Sequence, residues 1–138
     1  MTTLTITRGL PGSGKTTWAR QQPAWRVNRD DLRTMLKTAW KHGDDEYETL
    51  CSAVQYAVIR ELLHDRDVIV DDTNLRGDTV LALESIARIA RAEFFVVDFT
   101  DVHLETCIER DAARPDPVGE QVIRRMWAKY LAPQAVQP

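Results

Sequence analysis

The chain has 138 residues, 43% of them hydrophobic, with 18 Lys and Arg against 21 Asp and Glu and a formal net charge of −3. That length and apolar content suit one domain, residues 1–138, built on a single core. The slight acidity excludes a broad electropositive surface for long duplex nucleic acid, so any polyanion must be gripped locally.

Leu4 to Arg8 alternates apolar and polar residues, with β-branched Thr and Ile, and predicts a first strand. It runs into Gly9-Leu10-Pro11-Gly12-Ser13-Gly14-Lys15-Thr16, a complete G-x-x-x-x-G-K-[ST] phosphate loop, and Thr17-Trp18-Ala19-Arg20 continues as a helix. The glycines let the backbone turn so that successive N–H groups point at a phosphate chain. Lys15 adds positive charge near the outer phosphates, Thr16 offers its hydroxyl to Mg²⁺, and the helix presents its positive end. Gly12, Ser13, Gly14, Lys15, Thr16 and Thr17 are therefore assigned to a nucleotide, with ATP and Mg²⁺ as expected cofactors. No motif marks a base pocket, which leaves GTP open.

Gln21-Gln22-Pro23 breaks the helix, and Trp25-Arg26-Val27-Asn28 reads as a second strand leading into a helix at Arg29-Asp30-Asp31. His42-Gly43-Asp44-Asp45 punctuates the chain. Tyr47, Leu50, Cys51, Val54, Val58 and Leu62 then recur at helical spacing, one apolar stripe expected to cover the sheet. Val68-Ile69-Val70 looks like a parallel strand buried on both faces, ending in Asp71-Asp72-Thr73-Asn74. A helix follows from about Asp78 to Arg91, then a fourth strand at Phe94-Phe95-Val96-Val97 and a helix over roughly His103 to Ala113. Arg114-Pro115-Asp116-Pro117 interrupts, Val122, Ile123, Met126, Trp127, Tyr130 and Leu131 mark a last amphipathic helix, and Ala132 to Pro138 reads as a frayed tail. Strands alternating with helices imply an α/β fold of three layers, a parallel sheet with helices on both sides. Ligands in such sheets bind at the carboxyl ends of the strands, so the three polar junctions should converge on one crevice.

At the second junction Asp30 and Arg33 lie three apart on the first turn of a helix and project from the same side. One reading makes Asp30 the acceptor of a proton from an attacking hydroxyl and Arg33 the holder of a phosphate on that acceptor. The other makes Asp30 a helix cap and Arg33 a solvated charge. Asp71-Asp72 looks like the acidic end of a Walker-B-type strand, and because successive residues face opposite ways only one should approach the metal. Arg110 and Arg114, one turn apart before the prolines, are written like a lid over about 110–120 that closes on the nucleotide and excludes water. They also suit an ordinary helix C-terminus. Trp18, Trp40 and Trp127 fall at helical positions and read as core, and His42, His64 and His103 lack ligand spacing.

The segments GLPGSGKTTWAR, NRDDLR, VDDTNL and ERDAAR, in that order before a V-x-x-x-V-I-R-R-M-W helix, resemble the kinase domain of the bacteriophage polynucleotide 5′-kinase family within the P-loop kinases. The resemblance implies a P-loop NTPase fold with a four-stranded parallel sheet and a helical lid. It implies transfer of the ATP γ-phosphate to the 5′-hydroxyl of DNA or RNA. Lys15, Asp30, Arg33 and Arg114 would be catalytic, with Asp30 the general base and Arg114 the lid arginine; Arg110, one turn before it, is expected on the nucleotide from its place in the sequence alone. Asp72 would order Arg33 and, with Thr73 and Asn74, the acceptor site. Asp71 stands where the family has a small residue, and its role is open. A D-x-D-x-T phosphatase segment does not occur, so 3′-end repair by this polypeptide is not expected.

The substrate expected is therefore single-stranded or end-exposed DNA or RNA with a 5′-hydroxyl, in nucleic-acid end repair beside a separate ligase. Two alternatives stay open: a kinase of a small hydroxyl compound such as a nucleoside, sugar acid or antibiotic, and an ATP-binding switch that transfers nothing. Cys51 and Cys107 fit buried, reduced thiols. With no signal-peptide pattern and no apolar run of membrane-spanning length, a cytoplasmic protein without a membrane partner is expected.

Overall fold

Four short strands, β1 (Thr3–Arg8), β2 (Trp25–Val27), β3 (Val68–Val70) and β4 (Glu93–Asp98), pair in parallel in the order β2, β3, β1, β4. The computed structural model describes residues 1–36 and 44–133, so Trp40, His42, Gly43 and the tail beyond 133 lie outside the described residues. The helices are α1 (Lys15–Arg20), α2 (Arg29–Leu36), α3 (Asp45–Leu62), α4 (Gly77–Ile89), α5 (Leu104–Ala112) and α6 (Glu120–Tyr130).

Register places Leu4 beside Val68 and Phe94, and Ile6 beside Val70 and Val96. With a period of two, these side chains share one face. There Leu4, Ile6, Val68 and Val70 bury completely against Ile59 of α3, Leu63, and Leu83, Ile86 and Ala87 of α4. Each large aliphatic side chain so buried contributes about 1.5–3 kcal/mol. Trp18 of α1 meets Phe99 edge to face, with ring centroids 6.1 Å apart. A second cluster, Leu10, Leu75, Cys107 and Ile123 with Met126, Trp127 and Tyr130 against it, fastens α5 and α6 to the phosphate loop, because Leu10 is part of that loop. Cys51 and Cys107 are buried and unbridged.

The stripe expected on α3 is rotated. Leu50 is 52% exposed and Val58 lies at the exposed edge, while Tyr47, Cys51, Gln55 and Ile59 face inward. These follow an unbroken i, i+4 row. Gln55 is buried because it has a carboxylate partner, and a pattern counting only apolar residues skips it. The expected end of α4 at Arg91 also shifts: Arg91 has φ 58°, and the Arg91 and Ala92 amides bond back to Arg88 and Ala87 carbonyls, a Schellman close made without glycine.

Candidate active site

The phosphate loop bends where Gly12 and Gly14 adopt φ 81° and 100°. Gly12 is required twice over, since a Cβ there would stand 2.2 Å from the Cys107 carbonyl oxygen of α5. Lys15 is buried, donating from Nζ to the Leu10 carbonyl at 2.7 Å and to Ser13 Oγ at 3.4 Å. Burial lowers its pKa to about 8, against the upward pull of Asp71, Cys107 and Asp72 and with a smaller push from Arg114 in the same direction as burial. The loop thus holds its lysine curled inward.

Asp71 lies at the carboxyl end of β3, fully buried. Its Oδ2 accepts from Thr16 Oγ1 at 2.8 Å and from Arg26 Nε at 2.7 Å, and Arg26 also pairs with Asp31 of α2. Its Oδ1 is buried with no hydrogen-bond partner, the only such side-chain atom among the described residues. An orphaned carboxylate oxygen next to a threonine hydroxyl is the hard-oxygen donor set that Mg²⁺ takes, with water and substrate phosphate completing its shell. Among the described residues no cluster of three His, Cys, Asp or Glu could hold a metal alone. The residues present therefore fit a Mg²⁺ that arrives with a nucleotide.

Asp72 faces the other way, as period two demands. Burial pushes its carboxyl up, and the Arg29 amide (2.8 Å) and Gln55 Nε2 (2.6 Å), which donate to its two oxygens, pull it back. Asp72 thereby fixes the start of α2. Arg33 pairs with Glu48 of α3, whose carboxylate accepts from Arg33 Nε (3.1 Å) and Nη2 (2.9 Å). Glu48 also accepts from Arg29 Nε and Nη2, and although burial raises it, the two arginines hold it below the usual carboxylate range. Arg33 Nη1 donates to Asp30 Oδ1 at 2.6 Å.

The junctions after β1, β2 and β3 meet as expected: the Gly9 amide bonds the Thr73 carbonyl and Asn28 Nδ2 the Asp71 carbonyl. Asn74, expected at the acceptor site, is tied into the turn after β3. Its φ is 45° and its buried Nδ2 donates to the Thr7 carbonyl, so it shapes the turn. Arg110 Nη1 comes within 3.8 Å of where a Gly14 Cβ would be, over the phosphate loop. Arg114 is half-exposed and lies 3.7 Å from Asp111. Asp111 is buried and accepts from the Val118 and Gly119 amides, tying down the turn between α5 and α6. Arg26, Glu48, Gln55 and Asp111 were not singled out from sequence. A buried polar partner carries no local motif.

A family profile described as AAA domain matches residues 4–133. The chain belongs to the AAA domain family. This AAA domain is 28% identical over 144 residues to a protein of Autographa californica nuclear polyhedrosis virus named as a bifunctional polynucleotide kinase/RNA ligase, covering 93% of the chain and 21% of that protein. It superposes with a TM-score of 0.77 and 28% identity on a chain of the Pnkp1/Rnl/Hen1 RNA repair complex, covering 94% of this chain and 44% of that one. The chain thus spans less than half the length of both. Kti12 from Chaetomium thermophilum, solved with ADP-AlF3, shares the fold at 22% identity and a TM-score of 0.65, covering 95% and 81% of the two chains. The fold is that of the P-loop kinases. Among the described residues no helix is long and apolar enough to cross a membrane.

Proposed function

We propose that this AAA domain is an ATP-dependent phosphotransferase that phosphorylates the 5′-hydroxyl of DNA or RNA. The observation that carries this reading is the bridge between two halves of one crevice: Asp71 contacts Thr16 of the phosphate loop, and Asp72, the next residue, contacts the first amide of the helix bearing Asp30 and Arg33. The likeness to the viral kinase/ligase and to a chain of the Pnkp1/Rnl/Hen1 RNA repair complex supports a polynucleotide acceptor and a ligase working alongside.

The loop amides and Lys15 bind the triphosphate, and Thr16 and Asp71 would hold Mg²⁺, which supplies charge neutralisation on the phosphates. Arg33 holds the phosphate beside the reacting sugar, orienting the hydroxyl toward the γ-phosphorus. Asp30 takes the hydroxyl proton. Arg110 and Arg114 close over the transferring group, offsetting its charge and keeping water out. Incubating the protein with γ-labelled ATP and a 5′-hydroxyl oligonucleotide, beside a panel of nucleosides and sugars, tests this. Label on the oligonucleotide is expected; label only on the small acceptors contradicts it.

A further inference from the structure

Arg33 presents its guanidinium by two different edges. Nε and Nη2 lie against both oxygens of Glu48, a two-pronged geometry at 3.1 and 2.9 Å, while Nη1 donates to Asp30 at 2.6 Å. The two carboxylates differ in setting. Glu48 is 27% exposed, anchored also by Arg29, whereas Asp30 is 77% exposed on the first turn of α2. A forked, partly buried pair holds its geometry, and an exposed i, i+3 pair yields readily to a stronger anion.

The geometry points to a substrate-operated release of the base, resting on the kinase reading above. We propose that Glu48 is a positioning residue that keeps Arg33 aimed into the crevice, and that the acceptor's phosphate displaces Asp30 from Nη1. A phosphate offers more charge and more acceptor oxygens than a single carboxylate, so the exchange is downhill. Asp30, released from the guanidinium, accepts the proton of the 5′-hydroxyl as that O–H bond breaks. The hydroxyl oxygen bonds to the γ-phosphorus, the bond from γ-phosphorus to the β-bridging oxygen breaks, and ADP leaves with that electron pair. An acceptor lacking the phosphate next to its reacting sugar leaves Asp30 paired with Arg33. Discrimination against bare nucleosides is then exerted on the chemical step as well as on binding, because binding energy from a remote group is used at the reacting centre.

The test compares a nucleoside 3′-phosphate with the matching nucleoside as acceptors for wild type and Glu48→Gln, with a third arm in which phosphite is added in trans to the bare nucleoside. Wild type is expected to prefer the 3′-phosphate by about 100-fold or more in kcat/KM. Glu48→Gln should raise the acceptor KM about 10-fold, leave the ATP KM within about twofold, and shrink the preference. Phosphite should accelerate phosphorylation of the nucleoside by wild type, an arm that needs no variant and decides the matter if Glu48→Gln fails to fold. Unchanged acceptor preference in Glu48→Gln, an equal rise in the ATP KM, or no effect of phosphite overturns the release mechanism while leaving the kinase reading intact. Absence of transfer to every 5′-hydroxyl acceptor overturns both.

Discussion

The Thr16 hydroxyl and one oxygen of Asp71 meet at 2.8 Å although 55 residues separate them, and the second oxygen of that carboxylate is buried with nothing to accept from. Asp71→Asn keeps the shape and removes the charge. It is expected to raise the Mg²⁺ concentration for half-maximal transfer by about 10-fold or more while metal-free ATP binding changes little, as read by Mg²⁺ titration of the rate. Asp71→Ala also removes the buried partner of Arg26, which keeps only the exposed Asp31, and should lower stability by about 1–2 kcal/mol, measured by urea denaturation.

Lys15 gives a pH dependence with a definite sign. Its folded pKa, about 8, lies below the value of 10.5 for the free side chain. Below pH 8 the buried amine is charged and ready for phosphate, so ATP affinity should be full near pH 7 and fall as pH rises through 8. Calorimetry near pH 8 in buffers of different ionisation enthalpy should register proton uptake on ATP binding. The same shift opposes folding below pH 8, and stability should rise as pH climbs from 8 toward 10.5, where the unfolded chain still binds the proton. Lys15→Met is expected to raise Tm and abolish ATP binding together.

Gly12 and Gly14 both have positive φ but differ in their surroundings. Gly12→Ala drives a Cβ into the Cys107 carbonyl and should destabilise by about 2–4 kcal/mol, with loss of ATP binding. Gly14→Ala has open space up to Arg110 and should cost about 1 kcal/mol. Denaturation of the two variants side by side checks the contrast.

Asp111 anchors the turn that carries Arg114, so Asp111→Ala should release the Val118 and Gly119 amides and lower stability by about 2 kcal/mol. Hydrogen exchange across 112–119 should accelerate, and the ATP KM should rise more than the acceptor KM.

Much of this architecture is legible in the residues. The phosphate loop has fixed spacing because a phosphate chain has fixed dimensions, and Val68-Ile69-Val70 reads as an interior strand because it is β-branched without a polar face. The face of α3 was not, since Gln55 looks like a solvent residue until Asp72 is seen beside it. The pairing of Arg33 with Glu48 was not legible either. Glu48 stands 15 residues away on another helix, and only the packing of α2 on α3 brings them together. Two adjacent aspartates could be assigned opposite faces from strand geometry, yet which one met Thr16 depended on the pitch of the loop above.

Asp30 carries the central claim, that a carboxylate on α2 takes the acceptor's proton beside a nucleotide held at the phosphate loop. The decisive measurement pairs ATP affinity with single-turnover phosphoryl transfer to a 5′-hydroxyl oligonucleotide for wild type and Asp30→Ala. ATP affinity within about twofold and transfer reduced by about 100-fold or more are expected. Transfer at the wild-type rate in Asp30→Ala contradicts the account.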